Sequence, residues 1–265
     1  MDTLKLGASG KDVERLQKRL QKLGFPPGNI DGDFGPGTEA ALIAFQRGRG
    51  LLADGVAGPR TLKALGLADD DALASAIPGV TPQLVARLFP YTPLGNIKAN
   101  LPPTLAGLQA YGLVDRPMVL AALATIRAET ESFEPVAEAR SRYNTSPNGH
   151  PFDLYDKRRD IGNRGAPDGE KYRGRGYVQL TGRANYERYG KALGVRLLDK
   201  PELASVPEIA GRLLAAFLKD KERVIKEALL EGDLRAARRA VNGGSHGLER
   251  FSDTYQRGLA LLPAP

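Results

Sequence analysis

Arg116-Pro117-Met118-Val119-Leu120-Ala121-Ala122-Leu123-Ala124-Thr125-Ile126-Arg127-Ala128-Glu129-Thr130-Glu131-Ser132-Phe133-Glu134-Pro135-Val136-Ala137-Glu138 is the stretch on which the fold turns. Its first part is helical in pattern. A proline at the start has the φ a helix needs, and Met118, Leu120, Leu123 and Ile126 recur along one side. The pattern predicts a buried helix from Pro117 to Phe133 with Glu129 near its end. Beside Ile126, Ala128 and Phe133, that carboxyl would lose hydration, which favours its protonated form. Glu138 follows nine residues on. In a continuous helix it would lie about 13.5 Å further along and on the opposite side. Pro135 forbids that continuity, so the chain should turn after Phe133 and can bring Glu138 back across from Glu129. A gap of roughly 6.5–9.5 Å between two such carboxylates is the inverting arrangement for glycosidic hydrolysis. Glu131 and Glu134 are also present, and a glutamate-rich helix end is common on surfaces, so spacing alone leaves both readings open.

Around this stretch the pattern is helical nearly throughout. Thr81-Pro82 opens a helix to Phe89, with Thr as cap and Pro at the first position. Asn100-Leu101-Pro102-Pro103 precedes another, to Gly112. Later come Ala184 to Leu193, a long helix from Val206 to Leu230 with Ile209, Leu213, Phe217 and Ile225 as apolar rows, and Asp233 to Val241. The glycine-rich, polar region between Tyr143 and Leu180 is expected to hold a short β-hairpin. Residues 81–265 thus read as a mainly α, lysozyme-like bilobal body with a loop-built cleft.

Residues 1–66 have their own pattern. Asp31-Gly32-Asp33-Phe34-Gly35-Pro36-Gly37-Thr38 returns as Asp54-Gly55-Val56-Ala57-Gly58-Pro59-Arg60-Thr61. In each copy Asp-Gly makes a tight turn, and Thr reads as the cap of the helix that follows, Glu39 to Gly48 and then Leu62 to Gly66. Ahead of both, Lys11 to Leu23 is amphipathic, with Val13, Leu16, Leu20 and Leu23 on one face and Gly24 as the stop. The result is a small three-helix domain. Turn formation is the favoured reading of Asp31 and Asp54 over ligand contact. A calcium loop at Asp31 and Asp33 lacks a downstream glutamate at the required spacing. Residues 67–80, with an acidic triplet, small residues and Pro78-Gly79, read as a linker.

Composition narrows the function classes. Cysteine is absent, which excludes disulfides and thiolate chemistry. With His150 and His246 the only histidines, no metal site and no cofactor are expected. A net charge of +7 and a pI near 9.6 suit an anionic partner, but basic runs interleaved with aromatics are missing, so nucleic acid is disfavoured. No apolar run reaches the roughly 20 residues of a membrane span. Met1 to Lys5 lacks the regions of a secretory signal, so the chain is expected to be made in the cytoplasm and to reach any target outside it after release or assisted export. A monomer is expected.

Two resemblances sharpen the reading. Leu6-Gly7, Leu16-Gln17, Leu23-Gly24-Phe25, Asp31-Gly32, Phe34-Gly35, Phe45-Gln46, Gly50-Leu51 and Asp54-Gly55 resemble the peptidoglycan-binding domain of bacterial and phage wall hydrolases. Ala128-Glu129-Thr130 with Phe133 and Glu138, then Tyr172-Arg173-Gly174-Arg175-Gly176-Tyr177-Val178-Gln179-Leu180-Thr181 with Asn185-Tyr186, then Asn242-Gly243-Gly244 are similar to the three motifs of glycoside hydrolase family 19. That family includes chitinases and phage endolysins. It usually has His where this chain has Ala128.

The resemblance implies an inverting hydrolase of β-1,4 bonds in peptidoglycan, with bacterial peptidoglycan as partner. Glu129 would be the acid, Glu138 the base, and Thr181 the holder of the attacking water. Gln179, Asn185 and Asn242 would bind sugar N-acetyl and hydroxyl groups, and Arg250 would steady the carboxylates. Thr181 equally reads as a helix cap, and Tyr172 and Tyr177 either stack on sugars or fill the core. A chitinase, and a non-catalytic wall-binding protein, are the competing readings.

Overall fold

The computed structural model describes residues 3–68 and 75–263. The chain divides into two compact units, Met1–Ala74 with Arg223–Asp233, and Ser75–Glu222 with Leu234–Pro265. The expected linker's residues 69–74 lie outside the described residues.

In the first unit, α1 (Lys11–Lys22), α2 (Pro36–Gly48) and α3 (Pro59–Ala64) enclose a core of Val13, Leu16, Leu20, Leu42, Phe45 and Leu62. The two sequence repeats fold alike. Gln17 of α1 donates through Nε2 to Asp31 Oδ1 (2.9 Å) and the Asp33 carbonyl (3.0 Å), and its Oε1 accepts from Gly32 N (2.9 Å). Gln46 of α2 does the same to Asp54 (2.9 Å), the Val56 carbonyl (3.0 Å) and Gly55 N (3.0 Å). One amide thus stitches each Asp-Gly turn to the preceding helix. Each aspartate also accepts the amide two residues on, at 2.9 Å, closing an Asx turn. The threonines do not cap. Gly35 and Gly58 hold the cap positions, Pro36 and Pro59 start the helices, and buried Thr38 and Thr61 point back to Gln17 and Gln46 (3.1 and 3.3 Å).

The second unit is built on α4 (Pro82–Leu88), α5 (Leu94–Ala110) and α6 (Arg116–Glu129). Thr81 caps α4 by accepting from Leu84 N (3.1 Å). The double proline does not begin a helix. Pro102 and Pro103 lie inside α5, where Asn100 and Thr104 side chains bond the carbonyls of Asn96 (2.9 Å) and Asn100 (2.8 Å) around the interrupted ladder. Every residue from Met118 to Ala128 is buried, Thr125 and Arg127 included, so α6 is a core helix enclosed on all sides.

The helix also stops earlier than Phe133. It ends at Glu129, with Thr130 N bonded to the Ile126 carbonyl (2.7 Å). Phe133 takes a left-handed φ of 56° and packs edge-on against Phe89, with ring centroids 4.9 Å apart.

After the loop region come α7 (Asp153–Asp156), α8 (Asp168–Lys171), α9 (Arg183–Leu193), α10 (Pro207–Lys219), α12 (Leu234–Asn242) and α13 (Leu248–Leu261), while α11 (Glu222–Leu230), between α10 and α12 in the chain, falls in the first unit from Arg223 on. The expected Val206-to-Leu230 helix is two helices. The chain breaks at Asp220, whose carboxylate accepts from Tyr189 Oη (2.9 Å) and Arg188 (2.7 Å). The sequence pattern did not anticipate α13. The expected β-hairpin shrinks to a single rung: Arg175 and Leu180 exchange backbone hydrogen bonds (3.3 and 2.9 Å) around a four-residue loop, and among the described residues no strand extends it. Glycine sets the closest helix packing. A Cβ on Gly107 of α5 would lie 2.5 Å from the Gly211 backbone of α10, and one on Gly258 of α13 would lie 2.5 Å from Leu120 of α6.

Candidate active site

Glu129 is the last residue of α6, and its side chain is 15% exposed. It opens on a cavity of about 430 Å³. Gln179, Thr181, Asn185 and Asn242 give the cavity its polar lining, and Ile161, Val178, Phe217 and Val241 are among its apolar walls. Four of the sequence-derived substrate and water contacts therefore meet at one carboxylate. Asn185 Nδ2 donates to the Thr181 carbonyl (2.8 Å), and Asn242 Oδ1 accepts from Gly244 N (3.0 Å). Gln179 has a φ of 47° and donates to the Gly176 and Val136 carbonyls (2.9 and 3.2 Å). This strained backbone turns the residue into the cavity wall.

Glu138 is fixed from three sides. Oε1 accepts from Asn144 Nδ2 and Tyr155 Oη, both at 2.9 Å, and Oε2 accepts from Gly174 N at 3.2 Å. Its own amide donates to the Gly174 carbonyl (2.8 Å). Burial, then the hydrogen bond to Glu138, pushes the Tyr155 hydroxyl up to about 12, so it stays a donor.

Gly174 is where the two halves meet. A Cβ there would lie 2.8 Å from Gln179 Oε1, 3.2 Å from Glu138 Oε2 and 3.3 Å from Thr181 Oγ1. Those three oxygens converge on the space that the glycine leaves open. Gln179 and Thr181 also line the Glu129 cavity, so they bridge the surroundings of the two carboxylates. Thr181 Oγ1 donates to the Gln179 carbonyl (2.8 Å), which leaves its lone pairs free; it does not cap α9, whose cap position is Gly182.

Three expected contacts fall elsewhere. Arg250 pairs with Glu131 (3.1 Å), and the arginine on Glu129 is Arg238 of α12, whose Nη2 reaches Glu129 Oε1 at 2.6 Å. Arg238 is fully buried, donates through Nε to the His246 carbonyl (2.9 Å), and its Nη1 has no hydrogen-bond partner among the described residues. Tyr172 is 1% exposed, in a core cluster with Leu180 and Tyr186, and its hydroxyl bonds the Leu198 carbonyl (3.2 Å). Tyr177 is fully buried against Phe133. Neither ring is open to a sugar.

Sequence reasoning missed Arg238, Asn144 and Tyr155. Only Arg238 left a signal, since it shares the buried face of α12 with Ala237 and Val241. The departure at Ala128 also has a cause. A Cβ on Gly247, which precedes α13, would fall 3.0 Å from Ala128 Cβ, so small residues on both sides let α13 start against the last turn of α6.

Residues 9–65 match the peptidoglycan binding domain model, and residues 152–217 match the model described as chitinase class I. The chain thus carries a segment similar to peptidoglycan-binding domains ahead of a segment similar to class I chitinases. The fold of the second agrees with chitinase C from Streptomyces griseus HUT6037, at 20% identity and a TM-score of 0.51 over 76% of this chain and 85% of that one. An N-acetylmuramoyl-L-alanine amidase of Mycobacterium tuberculosis is 46% identical over 76 residues, 29% of this chain and 18% of the relative. A zinc D-Ala-D-Ala carboxypeptidase of Streptomyces albus G is 49% identical over 74 residues, 26% of this chain and 28% of the relative. The chain spans less than a third of the length of these two curated relatives. The chitinase class I match contains Gln179, Thr181 and Asn185, while Glu129, Glu138 and Asn242 lie outside it and join the site through the folded geometry.

Proposed function

We propose that the chitinase-type domain is an inverting glycoside hydrolase that cuts β-1,4 bonds in the glycan strands of bacterial peptidoglycan, while the N-terminal domain holds it on the wall. The convergence of Glu138, Gln179 and Thr181 on the Gly174 gap, with Gln179 and Thr181 shared by the Glu129 cavity, carries the reading. Glu129 protonates the glycosidic oxygen as the bond breaks. Glu138, with its carboxylate aimed by three donors, takes a proton from a water lying between it and the sugar. Thr181 Oγ1 accepts from that water and sets its line of attack. Gln179, Asn185 and Asn242 present both donors and acceptors, which suits N-acetyl and hydroxyl groups. The two curated relatives are named for an amidase and a carboxypeptidase activity, so what they share with this chain supports wall attachment rather than one reaction.

Chitin is the second reading, favoured by the class I match. Incubation with purified sacculi and with chitin oligomers separates the two. Glu129→Gln should lower sacculus hydrolysis by about 10²–10⁴-fold, the usual worth of a positioned proton donor. NMR of the fresh products should find the α-anomer. Wild-type lysis by Glu129→Gln, or a retained β-anomer, would overturn the mechanism.

A further inference from the structure

Glu138 and Asn144 are the two ends of a small closed loop. Asn144 is fully buried, and its amide bonds Glu138 Oε1 and the Ala139 carbonyl (both 2.9 Å) while its Oδ1 accepts from Ser141 N (2.8 Å). The residues between point outward, and Arg140, Arg142 and Tyr143 are exposed. Tyr143 is 73% exposed. Its ring is already held: the Arg142 guanidinium lies 4.9 Å from the ring centroid and donates to Tyr143 Oη (2.7 Å). One face of the ring is thereby covered and the other left open. Leu154, whose amide donates to the Asn144 carbonyl (3.3 Å), is also exposed.

The charge of this rim follows from where the nearby acids point. Asp153 accepts from Ser146 N (2.8 Å), Asp156 from Gly169 N (2.9 Å), and Asp168 from Arg164 N (2.9 Å) and Arg183 (3.2 Å). These carboxylates are spent on the interior of the loops. Elsewhere, exposed cations such as Lys18 and Lys191 pair with a carboxylate one helical turn away. Arg140 and Arg142 have no carboxylate partner among the described residues, so the loop beside Glu138 carries two positive charges without a countercharge of their own.

We propose that Arg140, Arg142 and Tyr143 form a specificity rim that selects the peptide-bearing, anionic form of the glycan. The open face of Tyr143 supports a sugar ring, and the two guanidiniums pair with carboxylates of the stem peptide. A neutral N-acetylglucosamine polymer offers these arginines nothing. The inference rests on the hydrolase reading above and adds the chemistry by which that site tells its substrates apart.

The test uses the full chain on two forms of the same purified sacculi, native and with carboxyls converted to neutral amides. Wild type should turn over the native form faster. Arg140→Gln with Arg142→Gln should lose about three- to tenfold more in kcat/KM on the native form than on the amidated form, the worth of two exposed ion pairs. Tyr143→Ala should raise KM on both forms, and Tyr143→Phe should restore it. Equal wild-type rates on the two forms, an equal loss by the double glutamine variant on both, or an unchanged KM for Tyr143→Ala would overturn the rim. If wild type releases no glycan fragments from either form, the hydrolase reading itself has failed, which is a separate outcome.

Discussion

At the scale of single residues, the site depends on a buried cation. Arg238 is fully enclosed and its countercharge is Glu129, at 2.6 Å. Breaking a buried pair by removing one partner strands the other, at a cost of about 3–5 kcal/mol. Glu129 keeps some contact with solvent, so Arg238→Ala is expected near the low end, about 3 kcal/mol, read as a shift in the urea midpoint. Arg238→Lys keeps the charge but cannot reach Glu129 and the His246 carbonyl through one planar fork. It should fold and turn over more slowly; a lysine variant with wild-type kcat would show that charge alone suffices. The same residue marks how far the sequence could be read. Glu129, Gln179, Thr181 and Asn242 sit in local motifs whose spacing is visible in one dimension. Which arginine reaches Glu129 is decided by how α12 and α13 pack, and the family resemblance pointed to Arg250 of α13 instead. Asn144 and Tyr155 reach Glu138 only because the loop closes on itself, which no periodicity encodes.

At the scale of elements, propensity and packing compete at one crossing. Gly107 lies inside α5, where alanine would ordinarily be better by about 1 kcal/mol. Its Cβ, however, would lie 2.5 Å from both the carbonyl carbon and oxygen of Gly211 in α10. Backbone atoms cannot rotate away as a side chain can. Overpacking of this kind costs about 1–3 kcal/mol, so Gly107→Ala should be destabilising on balance. A urea titration followed by circular dichroism would measure it, and a stabilised variant would mean that α5 and α10 do not approach this closely. Crossings of this sort are invisible in a single sequence, because a glycine in a helical run reads only as a weak spot. Helix existence was legible where the apolar period was strong, as in α1, α6 and α9. Helix ends were less so. Phe133 continues the apolar rhythm of α6 but is claimed by Phe89 in a left-handed conformation, and Asp220 breaks an unbroken apolar row because Tyr189 and Arg188 take its carboxylate.

At the scale of the whole molecule, the tyrosines are unevenly divided. The sequence has nine, all at position 91 or later outside Arg223–Asp233, so the larger unit holds every one and the smaller unit none. Burial pushes Tyr177, Tyr186 and Tyr255 up to about 12, and burial with the bond to Glu138 does the same for Tyr155. Tyr189 moves in the same direction, by burial and its bond to Asp220. In the unfolded chain these hydroxyls ionise near 10. Between pH 10 and about 12 the folded unit therefore retains protons that the unfolded chain has released. Raising the pH through that window favours the unfolded side, while below pH 10 both states are protonated and these groups add no pH dependence. The larger unit should thus keep a constant tyrosine-linked stability up to about pH 10 and lose it progressively above, with no such contribution in the smaller unit. Tyrosinate absorbance near 295 nm, recorded with circular dichroism during thermal melts at stepped pH, reads both at once. Ionisation of Tyr155, Tyr177, Tyr186, Tyr189 and Tyr255 should rise together with loss of helix. Full ionisation near pH 10 with the helices intact would mean that these rings are open to solvent, and the packing that holds Tyr155 on Glu138 would have to be redrawn.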